Sequence, residues 1–439
     1  MEQDADPRYR AVLARLQARG RFGIRLGLGR TRAVLRRMGN PHDGLPGALI
    51  GGTNGKGSTQ ALVAAALREG GYRVGQTPKP HLSSYRERIL IDGRAISASD
   101  FSLVVEEVLN EADAIAARHG PPTEFEVLTA AAFTWFRRSG VDVAVVEVGL
   151  GGRLDATNVW QGGVSALTNV ALDHMEYLGD TVEAIAREKA QIIKRGDHRA
   201  VTGAKEPALG VIRRRTQRLG VSLALTPPLN VTSMQLDGLH VEAPDGHGLT
   251  VGLLGRHQAA NAAVALGILD ALTEAGIATV PPDTVDNAFA RARWAGRLEL
   301  VSHHGKPDVI LDGAHNPAGI AALAEALEEL LPMISPSPPT FVMAILANHW
   351  QHGMLDPLAI RFPGAALIAT NVPDAPNSLD PLRLGAAWGA GTTAMEDTDR
   401  ALDIALERAA ETGGTVVVCG SLYLVGHARS RLGVDDPAD

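Results

Sequence analysis

A glycine-rich turn joining a short apolar strand to a helix constrains this chain more than any other feature. Ala48–Ile50 reads as a buried strand, Ser58–Arg68 as a helix, and between them runs Gly51-Gly52-Thr53-Asn54-Gly55-Lys56-Gly57-Ser58-Thr59. Glycines at such a turn let backbone N–H groups close around an anion, and the helix N-terminus adds positive potential. Lys56 supplies a point charge to outer phosphates, and Ser58 or Thr59 a hydroxyl for phosphate or Mg²⁺. The spacing is not the standard Walker pattern, because Gly57 stands between Lys56 and Ser58. A strand–loop–helix of this kind belongs to an open α/β sheet and predicts a nucleotide-binding α/β protein.

The rest of the chain agrees with that class. Strand-sized apolar runs at 141–148, 165–169 and 199–202 alternate with helical segments at 101–118, 125–138 and 182–194, the pattern of a largely parallel sheet. From 229 to 254 short alternating strands predict an antiparallel patch, followed by a helix over 258–275. A second alternating series starts near Leu298, with strands 309–311, 341–345, 366–370 and 415–419 and helices 318–331 and 397–410. The proline-rich 332–340 reads as a surface loop inside that series. The spacing therefore predicts two domains, 1–295 and 296–439.

Bulk properties exclude several classes. A formal net charge of -7 over 439 residues gives no electrostatic footprint for nucleic acid. Cys419 is the only cysteine, so no internal disulfide forms and a reducing compartment fits. The charged N-terminus resembles no signal peptide, and no apolar run is long enough to span a bilayer. A cytoplasmic protein without a membrane partner is expected. Lysine occurs only at Lys56, Lys79, Lys189, Lys194, Lys205 and Lys306, against many arginines. A retained lysine suggests a site needing a compact ammonium or a deprotonatable amine.

Three further clusters carry chemistry. Glu147 closes a strongly apolar run, where a carboxylate is costly unless paired or bound to metal; the turn Gly149-Leu150-Gly151-Gly152-Arg153-Leu154-Asp155 follows it. Asp173 and His174 come after the next strand, with Glu188 and Lys189 on the following helix. Arg297 and Asp312-Gly313-Ala314-His315-Asn316-Pro317 lie in the second series, the latter at a strand end that enters a helix. Taken singly, His174 reads as structural, Lys189 as a solvated helix residue and the 312–317 turn as loop chemistry.

Taken together and in order, these segments resemble the folylpolyglutamate synthase and dihydrofolate synthase family of the Mur ligase group. The matching segments run from Gly27-Leu28-Gly29-Arg30 through GTNGKGST (52–59), Pro80-His81-Leu82, Phe125–Ala130 and EVGLGGRLDATN (147–158). Asp173-His174, Glu188-Lys189-Ala190, His257-Gln258 and Asn261 follow, then Trp294–Arg297, DGAHNP (312–317) and CGSLYLVG (419–426). The resemblance implies a P-loop ATPase-like N-terminal domain and a smaller Rossmann-like C-terminal domain. It also implies a monomeric, ATP-dependent ligase that adds L-glutamate to dihydropteroate or to a folate tail through an acyl phosphate. It assigns ATP to Thr53, Asn54, Gly55, Lys56, Gly57, Ser58, Thr59, Arg297, Asp312 and His315, and Mg²⁺ to Ser58, Glu147 and His174. The catalytic set becomes Lys56, Glu147, His174 and Lys189, the last matching a carbamylated lysine. Acceptor binding falls to Arg30, Pro80, His81, Leu82, Arg153 and Asp155.

Departures stand beside the matches. Lys79 occupies the place of a metal-binding serine, Asn348-His349-Trp350 that of Asp-Lys-Asp, Asn377 that of an arginine, and Ala295 that of a proline. Two other readings therefore stay open: a related ligase acting on a different acid, and a phosphate-loop nucleotide-binding protein without ligase activity.

Overall fold

A computed structural model describes residues 6–20, 25–373 and 375–434. Three sheets organise it. The largest has eight strands in the order β4-β3-β2-β5-β1-β6-β7-β8. These are β1 (Gly47–Gly51), β2 (Val74–Thr77), β3 (Leu90–Ile91), β4 (Arg94–Ala95), β5 (Val143–Glu147), β6 (Gly163–Leu167), β7 (Arg199–Thr202) and β8 (Ser222–Leu225). In the sheet order β2-β5-β1-β6-β7-β8 every pairing is parallel, and only the β2–β3 and β3–β4 pairings are antiparallel. Buried on both faces, β1 and β5 carry the unbroken apolar runs Ala48–Ile50 and Val143–Val146, as central parallel strands require.

The antiparallel patch is a separate sheet of β9 (Asn230–Gln235), β10 (Gly238–Glu242) and β11 (Gly248–Val251). The second series forms a six-stranded sheet of β12 (Glu299–Val301), β13 (Val309–Leu311), β14 (Thr340–Met343), β15 (Ala366–Ala369), β16 (Thr392–Ala394) and β17 (Val416–Cys419). Its order is β12-β13-β17-β14-β15-β16. Only β12 is antiparallel. One apolar cluster extends from Ala48 and Leu62 through the helix Gln258–Glu274 to Ile320, Phe341 and Val417, so the two large sheets share a continuous core.

Two expectations change. The helix expected over 318–331 spans Pro317–Ile334 and carries Pro332 in its last turn, so the 332–340 loop is shorter than its prolines suggested. The helix expected over 182–194 ends at Lys189 and tightens into a 3₁₀ turn, Ala190–Ile192. The ends of the two expected domains, 1–5 and 435–439, lie outside the described residues.

Strand order locates the site. The chain leaves β1 for β2 on one side and later adds β6 on the other, with β5 filling the gap. The crevice at the carboxyl end of β1 is thus a topological switch point, where open α/β sheets bind ligands. The carboxyl ends of β13 and β17 lead into Asp312 and Gly420, which open onto that same crevice.

Candidate active site

A cleft of about 800 Å³ runs between the two large sheets. Thr53–Ser58, Pro80, Glu147, Asp155 and His174 line it from one side, and Arg297, Asp312 and His315 from the other. Of the residues expected at the site, these are the ones the fold brings together.

The phosphate loop is held in place by hydrogen bonds to the segment that follows β6. Gly52 (φ 140°) and Gly55 (φ 82°) take conformations that L side chains rarely adopt. A Cβ on Gly52 would lie 1.9 Å from Thr168 Oγ1, and one on Gly55 2.0 Å from Asn261 Oδ1. Thr53 N–H donates to Asn169 O (2.9 Å), Asn54 N–H to Asn169 Oδ1 (2.9 Å), and Thr168 Oγ1 to Asn54 O (2.7 Å). Lys56 starts the helix Lys56–Glu69; its ammonium folds back onto Thr53 O (2.9 Å) and Gly52 O (3.3 Å), 4.0 Å from Glu147 Oε1. A triphosphate would offer that ammonium stronger, charged acceptors.

Glu147 ends β5 with a buried carboxylate, and burial pushes its pKa up against Lys56, Lys79 and Arg297. Its Oε2 accepts from Lys79 N–H (3.1 Å). Lys189 does not line the cleft. Only 5% exposed, it lies beneath the loop, with Nζ donating to Gly52 O (2.8 Å). Burial, aided by Lys56 and opposed by Asp173 and Asp155, lowers it to about 7. A buried lysine near neutrality carries a substantial fraction of free amine.

Asp155 organises the turn after β5. One oxygen accepts from Gly149 N–H (3.0 Å) and Leu150 N–H (2.9 Å), the other from Thr157 N–H (2.9 Å) and Thr157 Oγ1 (2.5 Å). Across the cleft, Asp312 accepts from Leu298 N–H (2.9 Å) and Ala314 N–H (2.8 Å), tying the turn that carries Arg297 to β13. His315 Nδ1–H donates to Gly313 O (2.8 Å), and burial lowers its pKa to about 4, so it presents a neutral Nε2. Asn316 Nδ2 reaches Asn54 Oδ1 (3.2 Å), a direct bond from the second sheet's lobe to the phosphate loop.

Other expected residues are placed elsewhere. Thr59 is fully buried and donates to Asn261 O (3.4 Å), holding two helices together rather than facing a ligand. Arg30 is clamped on both oxygens of buried Glu126 (3.1 and 2.9 Å), which leaves its guanidinium committed to structure. Arg153 pairs with Glu188 away from the cleft (3.0 Å). His81 accepts from Arg88 Nε (2.8 Å) and stacks on Tyr85 (4.3 Å between centroids); burial and then Arg88 lower it to about 3. Leu82 packs with Val425 and its neighbours in the second lobe, outside the main cleft. Sequence reasoning missed Asn261, Phe125, His349 and Tyr423 as cleft-lining side chains. Their signal was only their place inside or beside matched motifs.

The metal set fits in part. Among the described residues no three His, Cys, Asp or Glu side chains converge where they could hold an ion. The Mg²⁺ cage expected from Ser58, Glu147 and His174 is not formed by those groups alone: Ser58 Oγ accepts from Gln258 Nε2 (3.4 Å), and His174 packs edge-on against His349 (5.7 Å). One buried carboxylate beside a phosphate loop does suit Mg²⁺, which takes few protein ligands and the remainder from phosphates and water.

Fold and site together define a phosphate-loop α/β protein whose second lobe touches the phosphate loop of the first. Residues 50–269 match the Mur ligase middle domain, and residues 296–422 the Mur ligase glutamate ligase domain. Over 434 residues the chain is 32% identical to dihydrofolate synthase/folylpolyglutamate synthase of Bacillus subtilis, covering 97% of this chain and 99% of that one. Folylpolyglutamate synthase of Mycobacterium tuberculosis, complexed with ADP and AMPPCP, superimposes with a TM-score of 0.86 at 32% identity, over 97% and 99% of the two chains. E. coli FolC in complex with DHPP and ADP gives 0.83 at 28% identity, over 98% and 99%. The chain belongs to the dihydrofolate synthase/folylpolyglutamate synthase family of Mur ligases.

Proposed function

We propose that this protein is an ATP-dependent ligase that adds L-glutamate to dihydropteroate, to the glutamate tail of reduced folates, or to both. The observation that carries the reading is the shared cleft, which holds the phosphate loop with Lys56 and Glu147 on one wall and Arg297 and His315 on the other. We take 1–295 and 296–439 as the two working domains, with the Asn54–Asn316 bond as their contact at the nucleotide.

The acceptor carboxylate attacks the γ-phosphorus of ATP; the P–O bond to ADP breaks and an acyl phosphate forms. The amine of L-glutamate then attacks the acyl carbon, and inorganic phosphate leaves with one former carboxylate oxygen. Positioning and charge neutralisation supply most of the acceleration in such transfers. Lys56, the loop N–H groups and the helix N-terminus neutralise the outer phosphates, and Arg297 adds charge when the lobes close. Mg²⁺, held by Glu147 with Ser58 and His174 nearby, would neutralise the triphosphate further. Lys189, a buried amine with a pKa of about 7, is suited to capture CO₂. The carbamate keeps one N–H for Gly52 O and adds an anionic end beneath the loop.

The test is a coupled ADP-release assay with dihydropteroate or tetrahydrofolate as acceptor, followed by mass spectrometry of the product. Glutamate- and acceptor-dependent ADP release with a glutamylated product is expected. ADP release indifferent to both would overturn the proposal.

A further inference from the structure

Lys79 is a buried-side cation that the reaction as drawn does not use. It projects from a fixed segment: its own N–H is bonded to the Glu147 carboxylate, and Leu82, Ser83 and Ser84 N–H groups converge on the Glu87 carboxylate (2.7, 2.8 and 2.6 Å). Its ammonium donates to Glu147 O at the tip of β5 (2.7 Å) and lies 4.1 Å from the centroid of the Phe125 ring. Among the described residues Glu147 O is its one protein hydrogen-bond acceptor, so two of three donors remain for a ligand. Lys79 lines the cleft and also a smaller adjoining pocket with Leu82, Glu87 and Trp294.

Position gives this charge a task. Lys56 of the phosphate loop lies 4.0 Å from Glu147 Oε1, and Phe125, Leu150 and Leu154 add apolar surface to the same cleft. Lys79 touches both, bonding Glu147 and lying against the Phe125 ring. A carboxylate entering from the apolar side and the outermost phosphate entering from the loop are both anions, and their approach needs a cation between them. The nearby carboxylate of Asp155 is occupied by Gly149, Leu150 and Thr157, so it does not compete for the ammonium as a hydrogen-bond partner.

We propose that the Lys79 ammonium is a built-in cation at the junction of nucleotide and acceptor, so that the nucleotide complex of this chain takes one divalent ion rather than two. A second divalent ion at this point would face an ammonium and be repelled. The inference rests on the ligase reading for its acceptor, but the ion count does not.

The experiment counts Mn²⁺ bound per chain by electron paramagnetic resonance, with saturating AMPPCP and no acceptor. Wild type should bind one ion. Lys79→Ser leaves the Glu147 carbonyl and carboxylate facing a polar void and should bind two; Lys79→Met fills the void with apolar atoms and should bind one. Turnover should fall at least 100-fold in Lys79→Met and recover in part in Lys79→Arg, which keeps the charge. Two ions on the wild type, or one on a folded Lys79→Ser, would overturn the proposal. If Lys79→Ser does not fold, the wild-type count alone decides. An enzyme with no ligase activity but a single ion that doubles in Lys79→Ser would refute the proposed reaction and leave the cation site standing.

Discussion

Replacing Lys189 by arginine keeps a positive charge and should still disable the enzyme. With its pKa lowered to about 7, Lys189 at pH 7.5 is about three-quarters free amine, against about one part in a thousand for an unperturbed lysine. Burial thus raises the form that can attack CO₂ by nearly three orders of magnitude. Arginine cannot release its proton at all. Its larger fork must also fit where Nζ sits 2.8 Å from Gly52 O, at a position only 5% exposed, an overpacking that costs roughly 1–3 kcal/mol. Turnover should fall by about 100-fold or more, the scale of one lost electrostatic contact in a closed site. Lys189→Ala should regain part of its activity when acetate or propionate is added, because a small carboxylate can fill the vacated space. ¹³C NMR of wild type in ¹³C-bicarbonate should show one carbamate carbon, absent from both variants. Near-normal turnover of Lys189→Arg, or a wild type with neither carbamate signal nor CO₂ dependence, would refute the reasoning.

Three other outcomes are expected. Lys56→Ala should lower kcat by about 100- to 1000-fold and lower Tm modestly, since its ammonium bonds loop carbonyls and also faces the buried Glu147 carboxylate at 4.0 Å; a thermal melt beside single-turnover kinetics checks both. Gly426→Ala puts a methyl 2.1 Å from Leu82 O where the helix Leu422–Leu432 meets the other lobe. That should destabilise the protein by roughly 1–3 kcal/mol and lower kcat/KM through poorer closure; an unchanged melt would show that the two lobes do not press together there. Between pH 7 and pH 9.5 the unfolded chain keeps a proton on Lys189 that the folded chain has released. Its contribution to stability therefore rises with pH over that window, by up to about 1.4 kcal/mol per unit, and Lys189→Met should flatten that slope in urea unfolding.

Much of this was legible in the sequence because the decisive signals are local. The β1–loop–helix unit needs only a run of apolar residues, four glycines and a lysine, all within a dozen positions. Glu147 and the 312–317 turn were legible for the same reason, as polar groups at the ends of apolar strands. What escaped depends on distant neighbours. Thr59 looks like a ligand hydroxyl until Asn261, two hundred residues on, takes it into a helix contact. Arg30 looks free until Glu126 claims it. Two-residue strands such as β3 and β4 carry no periodicity to detect, and β16 has just three residues. The helix Pro317–Ile334 absorbs Pro332 because the rest of its length is apolar on one side and already buried.

Acceptor activation is the step on which the whole account depends, and oxygen tracing tests it most directly. Dihydropteroate or folate labelled with ¹⁸O in its carboxylate is turned over with unlabelled ATP, L-glutamate and water, and the phosphate released is weighed by mass spectrometry. One ¹⁸O per phosphate is predicted, because the acyl phosphate carries that oxygen from carbon to phosphorus. Unlabelled phosphate beside a glutamylated product would contradict it.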